Sequence, residues 1–536
     1  MTSLAKRLLL CCDGTWMDSD NGFTKPTLIP YQPNASLQVP SNVTRISRAL
    51  TKVGLDGKHQ IIYYHSGVGS GGGAVDALTG GLLGTGISEN IREVYSFIVA
   101  NYVPGDDIIL IGFSRGAFTA RSVAGMIKDI GLLTRDGMRY FYPIFKDMEN
   151  SANPHYHDKF PDIPFPNKPT GSDQDEVQRR YKAKLEKRGL TRVHDPDGSK
   201  ICVHAVAVWD TVGSLGIPDI SFLSRLGFPH STKEYRFYDT NLSPDIRYGF
   251  QALALDEHRR PFSPAVWERN AMDKGATDLR QVWFPGSHAN VGGGYDDQEI
   301  ANISLAWMMD QLASIGVSFF DKFIEDMFEE NVQYYENPPK QPAKVFGRRP
   351  WKQWAIKSVY EKHKPVRPWG LGQIYQSTLG FYHLAGKITR TPGLYKRVDP
   401  DTGNPTNVFL QHTNERIHRC VRIRLDLEGL DLDDVGLYQC PALLKNWTPR
   451  KIRIKVRDPI PSDIRWGPLT PLSERIKDDV RWVWEYDGPE EDAPDETIMI
   501  EEPPGPYERQ LLLLNKGKDI PQLIPSDIGD DIRSDY

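Results

Sequence analysis

Long apolar runs are missing from this chain. None of its 536 residues sits in a stretch approaching the roughly 18–20 apolar residues that cross a bilayer. The opening MTSLAKRLLLCCDG has too short an apolar core, closed at once by Asp13, to read as a secretory signal. A cytoplasmic, intracellular protein is therefore expected. Cysteine is scarce: there are five, with Cys11 and Cys12 adjacent and no C-x-x-C spacing. That pattern excludes a disulfide framework and a zinc site in favour of free buried thiols. A strong excess of one charge is also absent. With a net charge of -5, nothing points to nucleic acid as a partner. No repeat period and no metal-ligand spacing are visible, so no metal or other cofactor is expected.

What the chain does have is glycine at telling places. In IILIGFSRGAFTARSVAGMI, Gly112-Phe113-Ser114-Arg115-Gly116 forms a G-x-S-x-G motif. Ile108 to Ile111 before it are continuously apolar, as in a strand buried on both faces. Ala117, Phe118, Ala120, Val123, Met126 and Ile127 after it fall at helical spacing. Strand, sharp turn and helix are what a nucleophile elbow needs: the serine sits on a strained turn, and Gly112 and Gly116 let strand and helix approach without a Cβ clash. Ser114 is the candidate nucleophile. Upstream, RLLLCC and QIIYY read as earlier strands, and GISENIREVYSFIVANYVPGDD as a helix with Ser88 as its cap and Pro104-Gly105 ending it, a repeating strand-to-helix pattern that builds parallel sheets with the site at the carboxyl ends of the strands.

A serine nucleophile needs a base, an acid to orient it, and donors for an oxyanion. Order along α/β-hydrolase chains is serine, acid, histidine. ICVHAVAVW is the next apolar strand and ends in Asp210, the candidate orienting acid. RQVWF leads into PGSHANVGGGY, which presents His288 as the candidate base. Asp256 is the rival acid, set aside because Ile246, Phe250 and Leu253 continue a helical face and put it near a helix end. His65, His204 and His258 are weaker bases. For the oxyanion hole, the amide of Arg115 follows the nucleophile, and Gly14 or Thr15, in the loop after the first strand, supplies the second donor. Asp13 is expected to hold loop amides or a side chain such as Arg115 or Arg121. The apolar segment from Ile217 to Phe228, with Phe222 and Leu223 at its centre, is the candidate acyl-binding element.

The blocks LLLCCDGTW, GFSRGAFTAR, VWDTVGSLG, ALALDEHRRPF and VWFPGSHANVGGGY, in that order, resemble an α/β-hydrolase-like family, a domain of unknown function that includes the catalytic domains of bacterial type VI secretion phospholipase effectors. Later segments resemble its fungal members, which are intracellular. The resemblance implies a serine esterase fold with phospholipase-like activity. Asn290 stands where the family's pattern has an aspartate two residues after the histidine.

The expectation is thus an α/β-hydrolase-like fold, a mostly parallel sheet flanked by helices, over residues 1–325. A solvated insertion at about 134–200 interrupts it, and a C-terminal extension over 337–536 is of mixed and partly irregular structure, with a basic helical segment before 365 and a short strand at RCVRIRLDL. The expected substrate is a lipid or small ester, with peripheral membrane contact if it is a lipid. Alternatives are a hydrolase of soluble esters and a non-catalytic scaffold.

Overall fold

The computed structural model describes residues 5–14, 23–24, 27–28, 31–32, 36–37, 39–67, 86–150, 156–171, 173–212, 241–272, 275–336, 367–375, 386–399, 405–457 and 476–516. Thr15, the apolar segment holding Phe222 and Leu223, and the whole of the 337–365 segment lie outside the described residues. The principal strands are β1 (Arg7–Cys12), β2 (Gln60–His65), β3 (Asp107–Phe113), β4 (Val203–Trp209), β5 (Ile246–Ala254), β6 (Asp278–Phe284), β7 (Glu415–His418), β8 (Trp447–Arg457), β9 (Ile476–Tyr486) and β10 (Ile498–Glu502). The helices that matter here are α1 (Ile87–Asn101), α2 (Arg115–Ile130), α3 (Gln174–Lys187), α4 (His288–Gly292), α5 (Glu299–Ala313), α6 (Arg419–Asp426) and α7 (Pro506–Lys516). Mostly parallel strands flanked by helices give an α/β fold.

The chain divides into two compact units. The first comprises Met1–Trp16, Gly57–Phe250 and Arg260–Leu279, the second Met17–Asp56, Gln251–Arg259 and Arg280–Tyr536. In the first, parallel strands run in the order β2-β1-β3-β4, with Arg7 opposite both Gln60 and Asp107, and Phe113 opposite Trp209. Leu8, Leu10, Ile108 and Leu110 pack with Ile91, Val94 and Ile98 of α1 and Phe118, Val123 and Met126 of α2 in one core. Each such side chain, fully buried, contributes about 1.5–3 kcal/mol. Continuous apolar strands fit this role, because covering helices leave neither strand face to solvent.

The insertion departs from the expected solvated excursion. Its polar helix is there as α3, but Ile144, Phe145, Met148, Phe165, Leu185 and Leu190 join the same core. Apolar residues scattered among Pro, Asp and Lys gave no periodic signal, yet together they supply a packed face.

In the second unit the order is β6-β7-β10-β9-β8. Strands β6, β7 and β10 are parallel, with Gln281 opposite Glu415 and Arg416 opposite Ile500; β9 and β8 continue antiparallel. The acidic, proline-rich tail therefore contains an ordered strand, and α7 beyond it donates the amides of Tyr507 and Glu508 to Asp310 of α5 at 2.8 and 3.0 Å. Two element readings change. Residues 246–254 form β5, not a helix: Phe250, Gln251, Ala252, Leu253 and Ala254 are all buried, so both faces are covered and the helical spacing of three residues was incidental. Residues 419–426 form helix α6, not a strand. The alternation of Val421, Ile423 and Leu425 with arginines looked two-faced, but Arg422 and Arg424 are buried as well and are held by Glu501 and by main-chain carbonyls.

Candidate active site

Ser114 lies between β3 and α2 with φ 57° and ψ -121°, a left-handed conformation rare for a residue with a Cβ. Close packing on both sides enforces it. A Cβ on Gly112 would fall 2.6 Å from the Gly116 carbonyl oxygen, and one on Gly116 would fall 2.1 Å from that of Cys12. Neither position admits a side chain without moving α2 off the strand ends. Ser114 occupies the N-cap position of α2, yet its side chain makes no capping bond. The amides of the first turn, beginning with Arg115, thus meet the elbow at the positive end of the helix dipole.

Asp210 follows β4 in the same unit. The Ser114 amide donates to the Trp209 carbonyl at 3.2 Å, so Ser114 and Asp210 emerge side by side from neighbouring parallel strands. Asp210 is completely buried and also has a positive φ, 36°. Gly14 completes this corner: a Cβ there would sit 3.1 Å from the Phe113 ring and 3.4 Å from Ser114 Cβ. Its amide donates to Asp13 Oδ1 at 2.7 Å, and Tyr64 donates to Asp13 Oδ2 at 2.7 Å. Asp13 thus holds the loop and occupies the Gly14 amide that was a candidate oxyanion donor. Arg121 donates to the Ala265 carbonyl at 2.6 Å and lies over the Trp267 ring.

His288 belongs to the second unit. It opens α4 just after β6, is 5% exposed, and its amide donates to Glu257 Oε2 at 3.3 Å. Ser287 and Asn290 form a capping box around it: the Ser287 amide and hydroxyl donate to Asn290 Oδ1 at 3.2 and 3.0 Å. Asn290 Nδ2 also donates to the Gln373 carbonyl at 2.8 Å. An aspartate here has no proton to give, so the departure at Asn290 ties the loop to residues 367–375. Gly286, with φ 104°, has no room for a Cβ, which would lie 2.6 Å from Asn290 Cβ.

Asp256 lies just past the end of β5, not at a helix end. It is buried, its amide donates to the Gly286 carbonyl at 2.9 Å, and its Oδ2 accepts from the Gly286 amide at 2.6 Å and from Tyr438 at 2.9 Å. Burial pushes its carboxyl up to about 6, against the opposing pull of those two donors, His258 and Arg424. Burial acts in the same sense on Glu257 but is outweighed there by the Arg259 guanidinium, with Arg390 and His288 adding to it, and the carboxyl ends below the ordinary range. Glu257 and Tyr438 were not singled out in the sequence; the ALALDEHRRPF block was the signal for the first, and nothing local marks the second. Of the weaker bases, His65 pairs with Glu93 at 2.6 Å, His204 lies 3.6 Å from Asp107 and His258 is bonded to the Ile388 carbonyl.

Other chemistry has less support among the described residues. All five cysteines are free, and burial, then the neighbouring Asp13, pushes the Cys12 thiol up to about 12. Among the described residues no group of three or more His, Cys, Asp or Glu is placed to hold a metal, and no helix is long and apolar enough to cross a membrane.

The fold is of the α/β class, a mostly parallel sheet flanked by helices. Within that class the chain belongs to the family of type VI secretion phospholipase effector Tle1-like catalytic domains, which matches residues 6–311. It is similar to an uncharacterized protein of Saccharomyces cerevisiae, YEL023C, at 22% identity over 428 residues, covering 61% of this chain and 59% of that one. The chain thus spans less than two thirds of that relative. Among solved structures it is similar to the Tle1 effector bound to the VgrG spike of the type VI secretion system, at 19% identity and a TM-score of 0.26 over 55% of this chain and 52% of that chain. It is also similar to an uncharacterized protein from Pseudomonas aeruginosa, at 16% identity and a TM-score of 0.26 over 57% and 45% of the two chains.

Proposed function

We propose that this protein is a serine hydrolase that cleaves carboxylic esters of lipids, with phospholipid as the leading substrate class. The observation that carries the reading is the strained Ser114 between β3 and α2, pinned by two glycines whose places no side chain can take. Membership of a phospholipase-effector family points the same way. In the proposed reaction Ser114 Oγ attacks the acyl carbonyl and passes its proton to His288. Asp210 holds the imidazole and stabilises the imidazolium. His288 then gives the proton to the leaving alcohol, and water resolves the acyl-serine by the reverse sequence. The oxyanion is assigned to the Arg115 amide; with the Gly14 amide engaged by Asp13, Thr15 is the better second donor. Phe222 and Leu223 are assigned to the acyl chain, where each methylene buried is worth about 0.8 kcal/mol. A lipid substrate also implies contact with a membrane surface from the cytoplasm.

The test is Ser114→Ala with a fluorophosphonate probe and two substrates, phospholipid vesicles and a short p-nitrophenyl ester. Loss of labelling, and of turnover by several orders of magnitude, is expected, because the triad acts as a unit. Asp210→Asn should be far more damaging than Asp256→Asn, since only the acid on the imidazole fixes its tautomer. Wild-type turnover by Ser114→Ala would defeat the assignment. A wild-type enzyme that cleaves the short ester but ignores vesicles would favour a soluble-ester hydrolase, and a wild-type protein that does neither would favour a scaffold.

A further inference from the structure

The loop that carries His288 is held from one side by two consecutive carboxylates. Asp256 pairs with Gly286 through its main-chain amide and its side chain: its amide donates to the Gly286 carbonyl at 2.9 Å, and its Oδ2 accepts the Gly286 amide at 2.6 Å. Glu257 takes the His288 amide at 3.3 Å. The two amides flank Ser287, so the backbone that aims the imidazole is fixed at both ends of a three-residue stretch. The carboxylates are themselves braced. Tyr438 donates to the same Asp256 oxygen at 2.9 Å, and Arg259 donates to Glu257 through its main-chain amide, Nε and Nη2 at 2.8, 2.8 and 2.7 Å. Arg390 is buried beside them and donates to the Ala254 carbonyl at 2.6 Å. A glycine with φ 104° has no intrinsic preference that would hold this turn. Burying two carboxylates is costly unless they are hydrogen-bonded, and the bonds of this pair run to the base loop and to residues that brace the pair.

We infer that Asp256 and Glu257 are positioning residues for His288, a clamp that fixes the direction of the base without touching substrate, with Tyr438 as its outer brace. This rests on the reading of His288 as the general base. A misplaced base loses rate more than affinity, so the clamp acts on kcat and leaves KM nearly unchanged. The Gly286 amide and the Tyr438 hydroxyl both donate to Asp256 Oδ2. An asparagine can present its carbonyl oxygen there, and Asp256→Asn keeps the clamp while Asp256→Ala removes it.

The experiment measures kcat per active site, counted with the fluorophosphonate probe, for wild type, Asp256→Asn, Asp256→Ala and Tyr438→Phe. In parallel, ring 15N signals of His288 are recorded in histidine-labelled protein and assigned by His288→Gln among the 13 histidines. Expected are a loss of roughly 100-fold in kcat with KM within about twofold for Asp256→Ala, near wild-type kcat for Asp256→Asn, and an intermediate loss for Tyr438→Phe. The His288 signals should move in Asp256→Ala and stay in Asp256→Asn. Counting sites removes the effect of a merely less stable fold. Wild-type kcat per site and unchanged His288 signals in Asp256→Ala would overturn the inference, as would equal losses in Asn and Ala. Should Asp256→Ala not fold, Tyr438→Phe decides: wild-type kcat per site and unmoved His288 signals there overturn it. If wild type is neither labelled nor active, the hydrolase reading fails, and the His288 signals alone decide whether the clamp stands.

Discussion

Ser114 and Asp210 are both non-glycine residues with positive φ, and they follow adjacent strands. Strain of this kind costs on the order of 1–3 kcal/mol per residue and persists where the surroundings over-determine it. The G-x-S-x-G spacing announced the first in the sequence; nothing announced the second, since an aspartate ending an apolar strand looks the same strained or relaxed. Asp256 was misplaced for a related reason, because three apolar residues in β5 happen to fall at helical intervals. Its burial has a consequence for stability. The carboxyl is pushed up to about 6 in the fold, above its unfolded range, so the protonated form is favoured by folding. That contribution is complete below about pH 4 and is lost as pH rises through about 6. Thermal melts of wild type and Asp256→Asn between about pH 4 and 7.5 should therefore diverge, the variant gaining Tm relative to wild type as pH rises. Parallel curves would show that the carboxyl does not titrate there.

At the scale of elements, α2 offers a paired test on one helix. A Cβ on Gly116 would meet main-chain oxygens of Cys12 and Asp13 at 2.1 and 2.4 Å, whereas one on Gly125 would meet nothing within 4 Å. Gly116→Ala must push the helix off the strand ends, and it should lower Tm and abolish probe labelling. Gly125→Ala should be neutral or raise stability by about 1 kcal/mol, since it removes an entropic penalty at an open site. Equal effects in melts and labelling would mean that the elbow is not held by this contact. The elements around the elbow were legible because β1, β3, β4 and α1 carry unbroken apolar runs or clean helical spacing. Helix α6 was not, because its buried face is shared between Val421 and Ile423 and two arginines whose partners, Glu501 and the Leu430 carbonyl among them, lie elsewhere in the chain. No local pattern distinguishes a buried arginine from a solvated one.

At the scale of the whole molecule, the family match ends at residue 311, but the second unit does not. Strand β7 pairs with β6 from Gln281 to Trp283, and β10 pairs with β7 in turn. Trp307 of α5 donates to Glu502 at 3.2 Å, and Asp310 accepts the amides of Tyr507 and Glu508. A chain truncated after residue 325 retains the full match yet loses all of these, leaving Trp283, Trp307 and Asp310 without their cover. It should aggregate or melt without cooperativity, as size-exclusion chromatography and circular dichroism will show; a monomeric, cooperatively melting fragment would make the C-terminal region a dispensable appendage. The parallel pairing of β6 with β7 has a kinetic side. During synthesis β6 leaves the ribosome long before β7: more than one hundred residues intervene between them, and β10, which pairs with β7, follows later still. At about 5–20 residues per second, the interval until β10 is made lasts on the order of ten seconds or more. Throughout that wait an apolar strand end is open to wrong partners. Transient exposure of this kind is where aggregation competes with folding.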